Sequence, residues 1–240
     1  MANRSSLGIK TLIKRIPIIG STARKLAQLP VVAAGRRLVF RGSPPYWENR
    51  YRAGGTSGAG SYGRLAAFKA EVLNEFVRTK EIRSVIELGC GDGAQLALAE
   101  YPRYVGVDVA AACVERCNVR FRADPKKGFY LANVLPKDLG TFDLGLSLDV
   151  VYHLVEDDVF DAYMHELFAR SQRHIVIYSS NYDALTSTPH VRHRKFTSWI
   201  TANAPAWQTA GFVPNRFPFD PNHPNETSFA DFHFFTRLDG

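Results

Sequence analysis

The residues of this chain best suited to chemistry are Glu87, Gly89, Gly91, Gly93 and Asp108. The apolar run over residues 82–88 reads as a strand that carries an acid near its end and leads into Gly89-Cys90-Gly91-Asp92-Gly93. Glycines at this spacing let backbone approach a ligand where a Cβ would collide. Residues 94–99 are compatible with a helix start, whose unpaired N–H groups suit a polar ligand. Asp108 follows Gly93 by fifteen residues and closes a second strand-like run, Tyr104–Asp108. An acid at that tip of a Rossmann-like unit receives the two hydroxyls of a ribose. The pattern predicts a cradle for a nucleoside-containing cofactor.

Read as Gly89-x-Gly91-x-x-Ala94, the same glycines satisfy a loose dinucleotide fingerprint. Glu87 argues against it, because a carboxylate two residues before the first glycine repels a pyrophosphate. S-adenosylmethionine carries a sulfonium and an α-ammonium, and an acid there stabilises both. The plainer alternative is a glycine turn in some other α/β domain. The run Val85-Ile-Glu-Leu-Gly-Cys-Gly-Asp-Gly93 resembles motif I of the class I S-adenosylmethionine-dependent methyltransferases, and Val105-Gly-Val-Asp108 resembles their motif II. The resemblance covers about residues 82–237. It implies an α/β fold, a Rossmann-like doubly wound seven-stranded sheet with the last strand antiparallel. It also implies S-adenosylmethionine as cofactor, at Glu87, Gly89, Cys90, Gly91, Asp108, Val109, Asn133, Val134, Leu148 and Asp149. An Asp/Asn-Pro-Pro-aromatic motif is absent after the fourth strand, where Leu148-Asp149-Val150-Val151 stands. That speaks against exocyclic-amine chemistry, and no DNA partner is expected.

At 240 residues and 45% apolar composition the chain can bury one sizeable core. Its net charge of +7 is unevenly spread: residues 1–52 hold eleven Lys or Arg and one acid, Glu48, so the remainder is slightly acidic. Three cysteines without metal-ligand spacing suit a reducing, cytoplasmic compartment. No run reaches the roughly 18 apolar residues of a membrane span, and residues 16–20 are too short and Pro-broken for a secretory signal.

Three regions are expected. Residues 1–41 form a basic extension in which Ile9, Leu12, Ile13 and Ile16 share a helical face, with a second helical stretch at 22–29. It either docks residues 1–30 on an anionic membrane at the inner face, or packs on its own domain or on a second subunit of a homodimer. Residues 42–63 read as a glycine-rich loop whose aromatics serve as a lid over cofactor and acceptor or plug the sheet end. Residues 64–240 hold the catalytic domain: helices at 65–79, 110–119 and 158–169, and strands at 128–132, 142–148 and 174–180. A closing hairpin is expected from strands 212–219 and 229–236.

Acceptor residues belong after the fourth and fifth strands. His153 is placed to act as general base on a hydroxyl, with Asp149 orienting it or binding a divalent ion such as Mg²⁺. A plainer role for His153 is capping the next helix or pairing with Glu156. The acceptor-binding candidates are Tyr46, Trp47, Arg50, Tyr62, Tyr152, Asn181, His190, Arg192 and His193; the run at 190–195 reads equally as a solvated basic loop. The sequence is similar to bacterial methyltransferases of surface-polysaccharide and glycolipid assembly. That likeness implies O-methylation of a sugar, a glycan or another small acceptor. RNA, with the basic extension as its phosphate contact, and a noncatalytic cofactor-binding partner are the other readings.

Overall fold

The computed structural model describes residues 40–136 and 138–238. Helix α1 (Ser43–Arg52) and helix α2 (Gly63–Thr79) precede the sheet. Strand β1 (Val85–Leu88), strand β2 (Tyr104–Asp108), helix α3 (Ala111–Arg120) and strand β3 (Lys127–Leu131) form its first half. Strand β4 (Phe142–Leu148), helix α4 (Asp157–Arg170) and strand β5 (Ser171–Ser179) follow. A small ribbon, β6 (Ala184–Leu185) with β7 (Arg192–His193), leads to helix α5 (Phe196–Asn203), and β8 (Trp207–Val213) and β9 (Asp231–Arg237) close the chain.

The main sheet runs β3-β2-β1-β4-β5-β9-β8. β1 to β5 pair in parallel, and β9 is antiparallel to both its neighbours. Alternation along the strands sends side chains to two cores. Val85, Tyr104, Leu144 and Leu146 meet Phe68, Leu73 and Val77 of α2 on one face. Ile86, Leu88, Val107 and Ile177 meet α4 and α5 on the other. Each large apolar side chain removed from water in this way contributes about 1.5–3 kcal/mol, which holds α2 and α4 more firmly than helix propensity would. Glu87 therefore shares the α2 face with Tyr104, buried at the sheet's centre.

Three local expectations change. Residues 42–63 begin with α1 rather than loop, because Pro44 and Pro45 stand in the first turn, where a missing N–H is tolerated, and Trp47 and Tyr51 pack against Ala110 and Cys113. After the glycines there is only a 3-10 turn, Leu96–Leu98, since Pro102 soon requires extended chain before it. The penultimate strand is Trp207–Val213 instead of 212–219, because Pro214 and Pro218 cannot donate to a ladder. Among the described residues no helix is long and apolar enough to cross a membrane. The amphipathic stretches expected at residues 9–16 and 22–29 lie outside the described residues.

Candidate active site

Strand order reverses between β1 and β4, and the crevice beyond their carboxyl ends is where such sheets bind ligands. A cavity of about 630 Å³ lies there, walled by the loops after β1, β2, β3 and β4 and by the segment around α1. Glu87, Gly89, Cys90, Gly91, Asp108, Val109, Asn133, Leu148 and Asp149 all line it, as expected; Val134 does not, being exposed beside it.

The glycine loop owes its shape to left-handed backbone. Gly89 has φ +85° and Gly91 φ +58°. A Cβ on Gly89 would run into Val150, and one on Gly91 into Ser57. Asp108 Oδ2 accepts the Gly91 N–H at 2.9 Å and Oδ1 the Ala110 N–H at 2.9 Å, which orients the carboxylate. Burial nevertheless pushes Asp108 up to about 6. Glu87 Oε2 accepts the Tyr104 hydroxyl at 2.6 Å, and burial pushes it up to about 7. Two carboxyls short of compensating charge on one cavity wall favour a cation over an anion.

The segment from α1 to α2 is strapped across the glycine loop. The Ser57 N–H donates to Asp92 Oδ2 at 2.9 Å, the Asp92 N–H donates to Ser57 Oγ at 2.9 Å, and the Tyr62 hydroxyl donates to Asp92 Oδ2 at 2.7 Å. Arg116 of α3 donates to the carbonyls of Tyr51 and Gly55, both at 2.7 Å. Glu156, at the start of α4, accepts from the N–H and hydroxyl of Ser43. Trp47, Tyr51, Ser57 and Ser61 of this strap face the cavity.

At the tip of β4, Asp149 has φ +60°. Its Oδ2 is paired with Lys69 Nζ at 2.6 Å and its Oδ1 accepts the Tyr152 hydroxyl at 2.9 Å. An ammonium on one oxygen and a phenol on the other do not fit a divalent cation, so the metal role expected for Asp149 is not supported. Asp157 is paired with Arg192 and Arg194, and among the described residues no three His, Cys, Asp or Glu side chains could jointly hold a metal.

His153 lines the cavity at the end of the 3-10 turn Val151–His153. Its Nδ1 lies 2.8 Å from the carbonyl oxygen of His190. A carbonyl only accepts, so Nδ1 carries the proton and Nε2 keeps its lone pair. Trp47 packs edge-on to the ring at 4.7 Å. Burial pulls the imidazole down to about 4, which keeps it neutral near pH 7. Glu156, the alternative partner, is engaged with Ser43 instead.

Of the expected acceptor residues only Trp47 lines this cavity. Tyr46 stacks on His190 behind it, at 4.2 Å between rings. Arg50 Nε donates to the Thr56 carbonyl and Tyr62 belongs to the Asp92 clasp, so both brace the strap. Tyr152 is buried on Asp149. His193 is buried against Ser180, Asn181 accepts from Thr197, and Arg192 reaches Asp157 and the Val155 carbonyl. Within the run at 190–195, Arg192 and Arg194 brace the ribbon against the start of α4. Lys69, Ser57 and Tyr104 were not expected at the site. The first two line it and the third holds Glu87.

This fold is that of the class I S-adenosylmethionine-dependent methyltransferases. Residues 85–172 match a family described as "Methyltransferase domain". Similar solved structures include the N-methyltransferase NodS from Bradyrhizobium japonicum WM9 with S-adenosyl-L-homocysteine, at TM-score 0.56 and 19% identity over 72% of this chain and 87% of that one. The methyltransferase domain of bacterial CtHen1 gives 0.55 and 18% over 70% and 96%. Magnesium protoporphyrin IX methyltransferase ChlM from Synechocystis PCC 6803 gives 0.54 and 14% over 72% and 84%. No curated protein matches the sequence.

Proposed function

We propose that the protein methylates a hydroxyl of a small acceptor, a sugar or glycan of surface-polysaccharide or glycolipid assembly, with His153 as general base. When bound, S-adenosylmethionine supplies an electrophilic methyl group on a sulfonium. Asp108 would hold the ribose hydroxyls, with Glu87 offering its carboxylate to the positive charge. His153 Nε2 would take the proton of the acceptor hydroxyl, leaving an oxygen nucleophilic enough for that methyl group.

The observation that carries this reading is the 2.8 Å contact between His153 Nδ1 and the His190 carbonyl, which leaves Nε2 as the acceptor of an imidazole that lines the cavity. The imidazolium that forms is close enough to Asp149 for its charge to favour it. Trp47 offers the kind of aromatic surface on which the C–H face of a sugar ring packs. The test is transfer of labelled methyl to a panel of glycans, small hydroxyl compounds, amines and RNA. Glycan labelling that is lost in His153→Ala supports the proposal. Labelling of amines or RNA alone, or full labelling by His153→Ala, refutes it.

A further inference from the structure

Lys69 stands at a core position of α2, with Leu65, Phe68, Leu73 and Val77, and its side chain is 1% exposed. Lysine is almost never buried so completely unless paired, because taking its charge out of water is costly. Its ammonium meets the Asp149 carboxylate at 2.6 Å and the Tyr178 ring at 5.3 Å. An apolar side chain would pack this position at no such cost.

Asp149 is the residue that accounts for the lysine. Its backbone is in the left-handed region, which a residue with a Cβ adopts only where its surroundings hold it. Lys69 and Tyr152 hold its two oxygens, and its N–H donates to the Tyr178 carbonyl at 2.9 Å. The turn carrying His153 starts directly after it, and the His153 N–H donates to the Val150 carbonyl at 2.7 Å. The held carboxylate is thus the root of this turn and the imidazole its tip.

We propose that Lys69 is a positioning residue for methyl transfer, anchoring Asp149 so that the following turn presents His153 to the acceptor. The inference rests on the reading of His153 as base. It has two consequences, one geometric and one electrostatic. The groups facing His153 are Asp149, which favours its charged form, His190 and Arg50, which oppose it, and the rings of Trp47 and Tyr152. Lys69 tempers the field of Asp149, so Lys69→Met and Asp149→Asn push the imidazole in opposite directions.

The experiment compares wild type with Lys69→Met, Lys69→Arg and Asp149→Asn. Three quantities are read: the His153 titration by NMR, S-adenosylmethionine affinity by calorimetry, and kcat and KM for the acceptor. Expected for Lys69→Met is a loss of about 10–100-fold in kcat, as for a misplaced reacting group, larger than any change in donor Kd, which Lys69 reaches only through its charge near Glu87. Its His153 titration moves up, that of Asp149→Asn moves down, and Lys69→Arg restores the wild-type value and part of kcat. A tenfold weaker donor Kd with an unmoved titration would make Lys69 a donor-binding residue and overturn the proposal. A kcat loss with no movement of the titration in either direction would reduce the pair to packing and overturn it equally. If Lys69→Met fails to fold, the lowered titration of Asp149→Asn is read against the wild-type value expected of Lys69→Arg, and coincidence of those two overturns the proposal. Turnover surviving His153→Ala would remove the base assignment and with it the role given to Lys69, an outcome distinct from the two above because the titration shifts are read without turnover.

Discussion

Ser57 and Asp92 exchange two hydrogen bonds: the Ser57 N–H donates to the Asp92 carboxylate, and the Asp92 N–H donates to the Ser57 hydroxyl, both at 2.9 Å. One residue belongs to the strap and the other to the glycine loop, so the clasp ties the cavity's cover to its floor. Tyr51 adds a third contact, donating to Ser57 Oγ at 3.0 Å.

Weakening that clasp is expected to act on the donor before it acts on chemistry. Hydrogen bonds to a charged group contribute about 1.5–3 kcal/mol each, and Asp92 accepts from Ser57, Tyr62 and Ala94. Asp92→Ala should weaken S-adenosylmethionine binding by about tenfold or more, chiefly through faster release. Stopped-flow displacement measures this; an unchanged release rate would mean the strap does not retain the donor.

Glu87 has a signature in stability. Its carboxyl is raised from 4.5 to about 7 on folding, so the folded state holds the proton more tightly. The contribution is intact below pH 4.5 and is lost as pH rises through about 7. Glu87→Gln keeps an acceptor for Tyr104 and removes the ionisation, so the ligand-free variant should gain up to about 3 kcal/mol at pH 8.5 and almost nothing at pH 4.5. Urea unfolding at the two pH values checks this, and calorimetry should show weaker donor binding by the same variant.

His153→Ala should lower kcat by about 10²–10⁴ with donor affinity preserved. In the wild type the base is active when neutral, and its pKa is pulled down to about 4. With the donor saturating, the acid limb of kcat/KM for the acceptor should therefore fall near pH 4, with a plateau above about pH 5. A limb near 6.5 would point to a different base.

Chelation should leave turnover unchanged. The Asp149 oxygens are held by Lys69 and Tyr152, and Asp157 by two arginines. An assay with excess EDTA, followed by added Mg²⁺, checks it. Loss of activity restored by the ion would require a donor set other than these residues.

The alternation of β4 reads plainly in the sequence, and the strand spans Phe142–Leu148 as expected, because it is paired on both sides and no proline intervenes. The helix over Gly63–Thr79 is legible for the same reason, its apolar positions recurring at helical spacing. The 42–63 region is not legible: glycine density there suggests loop, yet ten residues before the first paired glycines coil because Trp47 and Tyr51 find α3 to pack on. The basic run at 190–195 looks like a ligand wall only until Asp157, Ser180 and two backbone carbonyls claim its side chains.

Sequence alone made the acid–glycine–acid wall of the cavity legible, because two carboxylates and the left-handed glycines between them lie within about twenty consecutive residues. Tertiary structure alone decided which distant groups meet on the cavity wall. Lys69 and Asp149 are 80 residues apart, and His153 receives its tautomer from the backbone carbonyl of His190, a group every residue possesses and no sequence can single out. The physical reason is burial: it removes water as a competing partner, and so turns a lysine within an apolar helix face and an ordinary peptide oxygen into the determinants of charge and direction at the site.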